Sequence, residues 1–481
     1  MLFNSYEFIF IFLPVSFLIY FYLNYKKFII LSKGWLILSS LFFYSWWNII
    51  YLPLILISML FNYYIGSKLS KDNNKFILSF GIIMNLLLLF YFKYFDFFLV
   101  NINILFHLDY ELINLALPLA ISFFTFQQIA YLIDSYKQET KEYDFLNYSL
   151  FVTFFPQLIA GPIVHHKEMM PQFSKLNNKF INYKNISMGI FIFSIGLFKK
   201  VIIADTFAKY ANYGFNTSQP LDLLESWITS LSYTFQLYFD FSGYTDMAIG
   251  LALLFNIILP INFNSPYKAL NIQDFWRRWH ITLSRFLKDY LYIPLGGNRY
   301  GDIRTYSNLL ITFILAGVWH GAGWTFIFWG FLHGIALIIH RVWSKVLRFS
   351  ISKVFAWFIT FNFINIAWVF FRANEWNDAI RILSGMIGLN GIHLPSFFTS
   401  KLSFLQQYYN IEFSNFLSNI HGDLTILVFL PIAFIITIFF NNSISYLNKN
   451  YTTIHAFFIS FILIISIYSL GNKSEFLYFN F

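Results

Sequence analysis

NIQDFWRRWHITLSRFLKDYLYIPLGGNRYGDIR, residues Asn271 to Arg304, is the densest cluster of charge in an otherwise very apolar chain. Wound as a helix of about 3.6 residues per turn, it places Trp276, Trp279, His280, Leu283, Phe286, Leu287, Tyr290 and Leu291 on one face. Arg277, Arg278, Ser284, Arg285, Lys288 and Asp289 fall on the other, and only Ile281 breaks the division. An aromatic face backed by a basic one suits a helix lying in the plane of a membrane interface, where cations stay with headgroups while rings enter the acyl boundary. His280 is the exception within the apolar face. It is either a histidine hydrogen-bonded within packing or a titratable group held at the mouth of a buried site.

Around this stretch the composition is that of a polytopic membrane protein. Hydrophobic residues make up 58% and charged residues 11%, with a mean hydropathy of +0.59, whereas a soluble domain carries about a quarter charged residues. The formal charge of +9 therefore bears on topology rather than nucleic acid, because basic residues in short loops hold those loops in the cytoplasm. The absence of cysteine removes disulfides, thiolate metal sites and cysteine nucleophiles. Met1 to Leu23 has no basic leader, and the first alanine is Ala116, so this segment is expected to remain as an uncleaved span.

Taken in order, Phe8 to Leu23 reads as a first span with its N-terminus outside, since Lys26, Lys27 and Lys33 follow it. Trp35 to Ile65 is too long for one span and reads as two helices with a turn at Trp46 to Pro53. Ile77 to Leu99 and Leu115 to Ile133 follow. Phe151 to Phe173 is interrupted by Pro156, Gly161, Pro162 and Pro171 and reads either as a re-entrant element buried in protein or as a proline-rich cytoplasmic loop. Ile186 to Ile203 and Trp227 to Phe255 are further apolar segments. Asp240 and Asp246 sit in the second, where acids are costly unless they face a cavity or a partner. Leu309 to Ile339 is interrupted by AGVWHGAGW, Ala316 to Trp324. Phe355 to Phe371, Leu424 to Phe440 and Ala456 to Leu470 complete the spans, with Ala373 to Asp423 as a long external segment.

The expected fold is all-α, with about 10–12 transmembrane helices plus re-entrant or interfacial helices. It is taken as one integral membrane domain over residues 1–481, with N-terminal spans in 1–150, a motif-bearing core in 151–372, and the external segment, last spans and aromatic tail in 373–481.

His320 lies deep in an apolar segment among Gly317, Gly321 and Gly323, which allow close approach of a helix or ligand, and an ionisable residue there is a functional site by default. His333 and His340 share a helix face, but no acid or cysteine nearby completes a metal shell, so no metal site is expected. Two histidines without cysteine or metal suit acyl transfer from a thioester. A general base takes the proton of an acceptor hydroxyl, and a thiol leaves without a strong acid. Which of His280 and His320 takes the proton stays open on the residues alone. Arg278, Asn298 and the glycines beside His320 are candidates to hold the oxyanion. Arg277, Arg285, Lys288, Arg299 and Arg304 are candidates for the phosphates of a coenzyme A or phosphopantetheine donor, or equally for lipid headgroups.

FPQLIAGPI from Phe154, YFDFSGYTDMAIG from Tyr238, NFNSPY from Asn262, DFWRRWHITLSRFLKDYLYIPLGGNR from Asp274, WHGAGWTFIFWGFLHG from Trp319 and WVFFRA from Trp368 together resemble the bacterial membrane-bound O-acyltransferases, most closely the alginate and peptidoglycan O-acetyltransferase branch. The resemblance implies a ring of tilted helices around a tunnel, His320 as catalytic base and His280 as second active-site histidine. It also implies a donor-binding cytoplasmic mouth that includes Arg277, Arg278, Trp279, Asn298 and Arg299. Acetyl-CoA would then be a substrate, with no resident cofactor or metal, and an extracytoplasmic transferase would be the partner of a protein sitting among the lipids of the inner membrane. FLYFNF, Phe476 to Phe481, resembles the aromatic tail of that branch, which makes Tyr478 either an acyl relay or an interfacial anchor. Peptidoglycan is the first acceptor expected and another polysaccharide such as alginate the second. The alternatives are D-alanyl transfer to teichoic acid and, from another class, a lipid-linked sugar transporter or channel.

Overall fold

The computed structural model describes residues 1–139, 144–347, 349–407, 411–414, 416–447, 452–471 and 476–477. Seven helices among them are long and apolar enough to cross a membrane: Phe8–Tyr25, Ile49–Leu69, Lys75–Phe106, Tyr183–Asn216, Trp324–Leu347, Lys353–Arg372 and Thr453–Gly471. Ile29–Ser45 and Leu424–Phe439 are apolar but shorter. The segment from Trp35 to Ile65 divides as its polar middle predicts, into helices Ile29–Ser45 and Leu52–Leu69 joined through Trp46 to Tyr51, with the Asn48 side chain accepting from the Ile50 N–H.

The chain forms two compact units. The first contains Met1–Phe198, Ser242–Asn262 and Ser443–Phe481. Several of its buried polar groups pair with one another inside the bundle, as an apolar surround favours. Asn62 and Asn85 exchange amide hydrogen bonds of 3.0 and 2.7 Å between neighbouring helices. Asp246 accepts the Ser443 hydroxyl at 2.7 Å. The proline-interrupted stretch is packed inside this unit and is not an exposed loop. Residues 148–166 are buried almost throughout, and the Phe151 carbonyl accepts from both Gln127 and Gln157 at 2.9 and 2.7 Å. Those two amides satisfy the Phe151 carbonyl, whose helical partner, the Phe155 N–H, donates instead to the Ser40 hydroxyl at 3.1 Å.

The second unit contains Lys199–Phe241 and Phe263–Asn442. The 32-residue helix Leu223–Leu254 gives its first part to this unit and its remainder to the other. Asp240 on this helix is paired. Lys200 Nζ lies 2.7 Å from Asp240 and 2.9 Å from Asp205, and the Lys200 and Asp240 side chains are each 2% exposed. Lys200 stands in the π-helical turn Lys199–Ala204, which turns its amine into the bundle. At the start of the long helix Asp222 and Glu225 form a reciprocal cap, with Glu225 N donating to Asp222 Oδ1 at 2.8 Å. The second oxygen of Asp222 meets His393 Nδ1 at 2.9 Å, and Glu225 accepts from the backbone and side chain of Asn419 at 2.9 Å each. These bonds tie down the segment expected to be external. It holds the helix Trp376–Met386 and a two-stranded parallel sheet, Ile392–Pro395 beside Ile411–Ser414.

One expectation fails in an informative way. Asn271 to Arg304 is not a single amphipathic helix. Helix Ile272–Arg278 ends at Trp279, which is extended (φ −99°, ψ 128°), and His280 is left-handed (φ 43°, ψ 54°) before helix Ile281–Leu287 starts. A positive φ is unfavourable for a residue with a Cβ and persists only where packing fixes it. Here both residues at the break are buried, Trp279 at 2% and His280 at 0% exposure.

Candidate active site

His320 is the last residue of the helix Gly301–His320, which stops because Gly321 adopts an extended backbone (φ −159°, ψ 152°). Three residues later Trp324 begins the helix Trp324–Val342, and the two helices fold back on each other. Their contact has no room for side chains. A Cβ on Gly317 would meet the Phe326 carbonyl and come within 3.3 Å of Gly330 Cα, and one on Gly330 would meet the Phe313 carbonyl. The glycines around the histidine thus let two backbones touch, which lodges His320 in the interior at 4% exposure.

Its walls are aromatic. The His320 ring lies 4.8 Å from Trp319, 5.1 Å from Trp329 at 89° and 5.0 Å from Phe371, centroid to centroid. His280 is near the same Trp319, 6.5 Å from that indole and 4.8 Å from Phe241. The two expected catalytic histidines are therefore brought to one aromatic cluster, with Trp319 common to both. Burial pushes His280 down to about 3, which keeps it neutral. A buried neutral imidazole can donate or accept a hydrogen bond, which the low dielectric around it strengthens, while the same low dielectric disfavours its protonation.

The break at Trp279 and His280 sends the two tryptophans of DFWRRWH in different directions. Trp279 enters a packed group with Tyr238, Phe263, Tyr267, Phe275 and Trp368, at ring distances of 5.0 to 6.3 Å. It is a core residue here, whereas the helical wheel placed it beside Trp276 and the donor-site expectation placed it at the mouth. Trp276 instead donates its indole N–H to Nδ1 of His333 at 3.2 Å. Arg278 bonds Asp274 at 2.9 Å and the Asn264 carbonyl at 3.3 Å, so it braces the turn before the break. Arg277, Lys288, Asn298, Arg299 and Arg304 are exposed and offer charge and hydrogen bonds to an anionic ligand. Among the described residues no three His, Asp or Glu side chains are grouped to hold a metal.

Sequence reasoning missed the group that completes the cluster. His333 is fully buried, 4.8 Å from Trp329 and 5.0 Å from Trp276. Trp329 thus packs against both His320 and His333, with Trp368 stacked on it at 5.7 Å and 17°. The signal was available in the four-residue spacing of Trp329 and His333, which puts both on one helix face, but His333 was considered only as a metal ligand. Tyr478 lies outside the described residues. Two positions before it, Phe476 is 1% exposed and packs edge-on against Tyr244 at 4.6 Å, within the first unit.

The profile of the membrane-bound O-acyltransferase family matches residues 37–374. The chain belongs to that family. Among similar proteins, the peptidoglycan O-acetyltransferase of Helicobacter pylori is 57% identical over 427 residues, 82% of this chain and 81% of the relative. The probable alginate O-acetylase AlgI of Pseudomonas putida is 39% identical over 84% of each chain. The teichoic acid D-alanyltransferase of Streptococcus thermophilus is 29% identical over 47% of this chain and 57% of its own. The protein is an O-acyltransferase, all-helical in its membrane part and multi-pass in the bacterial inner membrane. The transporter alternative falls with that membership.

Proposed function

We propose that this acyltransferase takes an acetyl group from cytoplasmic acetyl-CoA and passes it across the membrane for O-acetylation of a cell-envelope polysaccharide, peptidoglycan before alginate or another exopolysaccharide. The observation that carries the acceptor choice is the 57% identity to the Helicobacter pylori peptidoglycan O-acetyltransferase over more than four-fifths of both chains. D-alanyl transfer is less well supported, since the similarity to that enzyme is lower and covers about half of the chain.

In this function His320 is the general base. It takes the proton of an acceptor hydroxyl, whose oxygen then attacks the thioester carbonyl. His280, near the same Trp319, is the second histidine of the site. The exposed Arg277 and Arg299, with Asn298 close by in sequence, receive the polar end of coenzyme A, while Arg278 and Trp279 hold the turn that presents them. The first acceptor is the Tyr478 hydroxyl, which carries the acetyl group as an ester to an extracytoplasmic partner transferase. Support for a relay over a loose anchor comes from Phe476, whose burial against Tyr244 ties the start of the tail to the protein interior.

Purified protein incubated with acetyl-CoA and digested for mass spectrometry tests this. The expected result is an acetylated tail peptide centred on Tyr478, absent from His320→Ala, together with a fall in CoA release of about 10²–10⁴-fold, the range set by loss of a general base. A Tyr478→Phe protein that acetylates polysaccharide at the normal rate would remove the relay while leaving the acyltransferase in place.

A further inference from the structure

His333 holds its proton in a way that fits a second role in acyl transfer. An indole Nε1 can only donate, so the 3.2 Å contact from Trp276 makes Nδ1 of His333 the acceptor. The ring is then neutral and its hydrogen is on Nε2. That Nε2 is buried and meets no hydrogen-bond partner among the described residues. A buried donor left unsatisfied is costly, and in a membrane interior no solvent offsets it. Such a group is kept where its partner arrives with a substrate.

Its neighbours indicate which substrate atom that is. His333 and His320 each pack about 5 Å from the indole of Trp329, on a helix pair locked together by glycine contacts. A base that removes a hydroxyl proton and a donor that faces the carbonyl oxygen of the same thioester have to line one site, and the shared indole puts both imidazoles in one aromatic cluster.

We infer that His333 is a catalytic hydrogen-bond donor, its Nε2–H directed to the thioester carbonyl oxygen of the acyl donor and to the oxyanion that forms there. The inference rests on the acyl-CoA function proposed above. As the acceptor oxygen bonds to the carbonyl carbon, its proton goes to His320 and the carbonyl π pair moves to oxygen, where the His333 N–H stabilises it. The C–S bond then breaks, the pair returns to restore the carbonyl, and the departing thiolate takes the proton from His320. Trp276 is a positioning residue in this scheme. It fixes the tautomer without touching the substrate.

Two isosteres separate this role from a histidine that merely bridges helices. In His333→Asn the side-chain oxygen replaces Nδ1 and keeps an acceptor for Trp276, but no donor remains at the Nε2 position. In His333→Gln an amide N–H reaches that position. The chain has no cysteine, so a thiol reagent reports released CoA without background from the protein. We expect His333→Asn to lose about 10²–10³-fold in kcat with KM little changed, the loss typical of removing one oxyanion donor. His333→Gln should recover at least a tenth of the wild-type rate. In the slow His320→Ala background, the infrared carbonyl band of bound 13C-labelled acetyl-CoA should lie at lower frequency than in solution, and that shift should vanish when His333→Asn is added. Wild-type kcat in His333→Asn, or a carbonyl shift that survives that substitution, overturns the inference and leaves the acyltransferase function standing. A wild-type protein that releases no CoA from acetyl-CoA overturns the donor assignment and this inference with it.

Discussion

Trp276 donates its indole N–H to Nδ1 of His333 across 57 residues of sequence, and this bond joins the helix of the basic segment to the helix that follows His320. Trp276→Phe keeps the ring packing against Phe313, Trp329 and His333 but removes the donor. With Nδ1 unclaimed, the proton of His333 is free to occupy either nitrogen. The expected outcome is a fall in kcat of about tenfold, with a thermal midpoint within a few degrees of wild type, since a single neutral hydrogen bond contributes about 1 kcal/mol. CoA-release kinetics beside differential scanning fluorimetry in detergent would check it.

Gly317 should tolerate no side chain. Its Cβ would run into the Phe326 carbonyl and the Gly330 backbone, neither of which can rotate away, so Gly317→Leu forces the two helices apart. Overpacking of this kind costs about 3 kcal/mol, and it should displace His320 and abolish activity. Gly323→Ala is the control, because its Cβ would meet only ordinary contacts of 3.5 and 3.8 Å. Thermal unfolding of the two proteins should differ accordingly, and equal midpoints would contradict the close approach of the helices.

The Lys200, Asp205 and Asp240 group should behave as a unit. Lys200→Met leaves two carboxylates facing each other in the bundle, and breaking a buried pair by removing one partner costs about 3–5 kcal/mol. Lys200→Met with Asp240→Asn removes the more deeply buried of the two charges, since Asp240 is 2% and Asp205 17% exposed, and should regain a large part of that loss. Expression level and thermal midpoint of the single and double variants measure the coupling.

Stability should fall on acidification through His280. Burial lowers its pKa in the folded protein from 6.5 to about 3, so between these values the unfolded chain binds more protons than the folded one. This contribution is therefore complete above about pH 6.5 and is lost progressively as pH falls toward 3. The thermal midpoint in detergent should drop over that window, with a shallower slope in His280→Gln. A limb of the activity profile between pH 5 and 8 should not come from His280, and it should persist in that variant if any rate remains.

Composition and periodicity were enough to establish a polytopic helical membrane protein and the division of Trp35 to Ile65 into two helices. Both depend on local hydrophobicity and turn chemistry, which a linear chain carries in full. The burial of His320 among close-packed glycines was legible for a related reason, since an ionisable residue in an apolar segment has to be enclosed by protein. The pairing of Asp240 was legible only as a requirement, and the tertiary structure supplied Lys200 to meet it. The break at Trp279 and His280 could not be read at all. A helical wheel assumes one repeating backbone conformation, whereas the left-handed φ of His280 is maintained by side chains packed on it from distant segments. That break sends Trp276 toward His333 and Trp279 into the core, and it turns a histidine without metal-site neighbours into a member of the aromatic cluster around His320. The sequence by itself determined a multi-pass helical membrane protein and an ionisable residue, His320, enclosed in an apolar segment. Only the tertiary structure decided which rings surround that residue and which nitrogen of His333 carries its proton, because both depend on contacts between residues that sequence periodicity leaves unrelated.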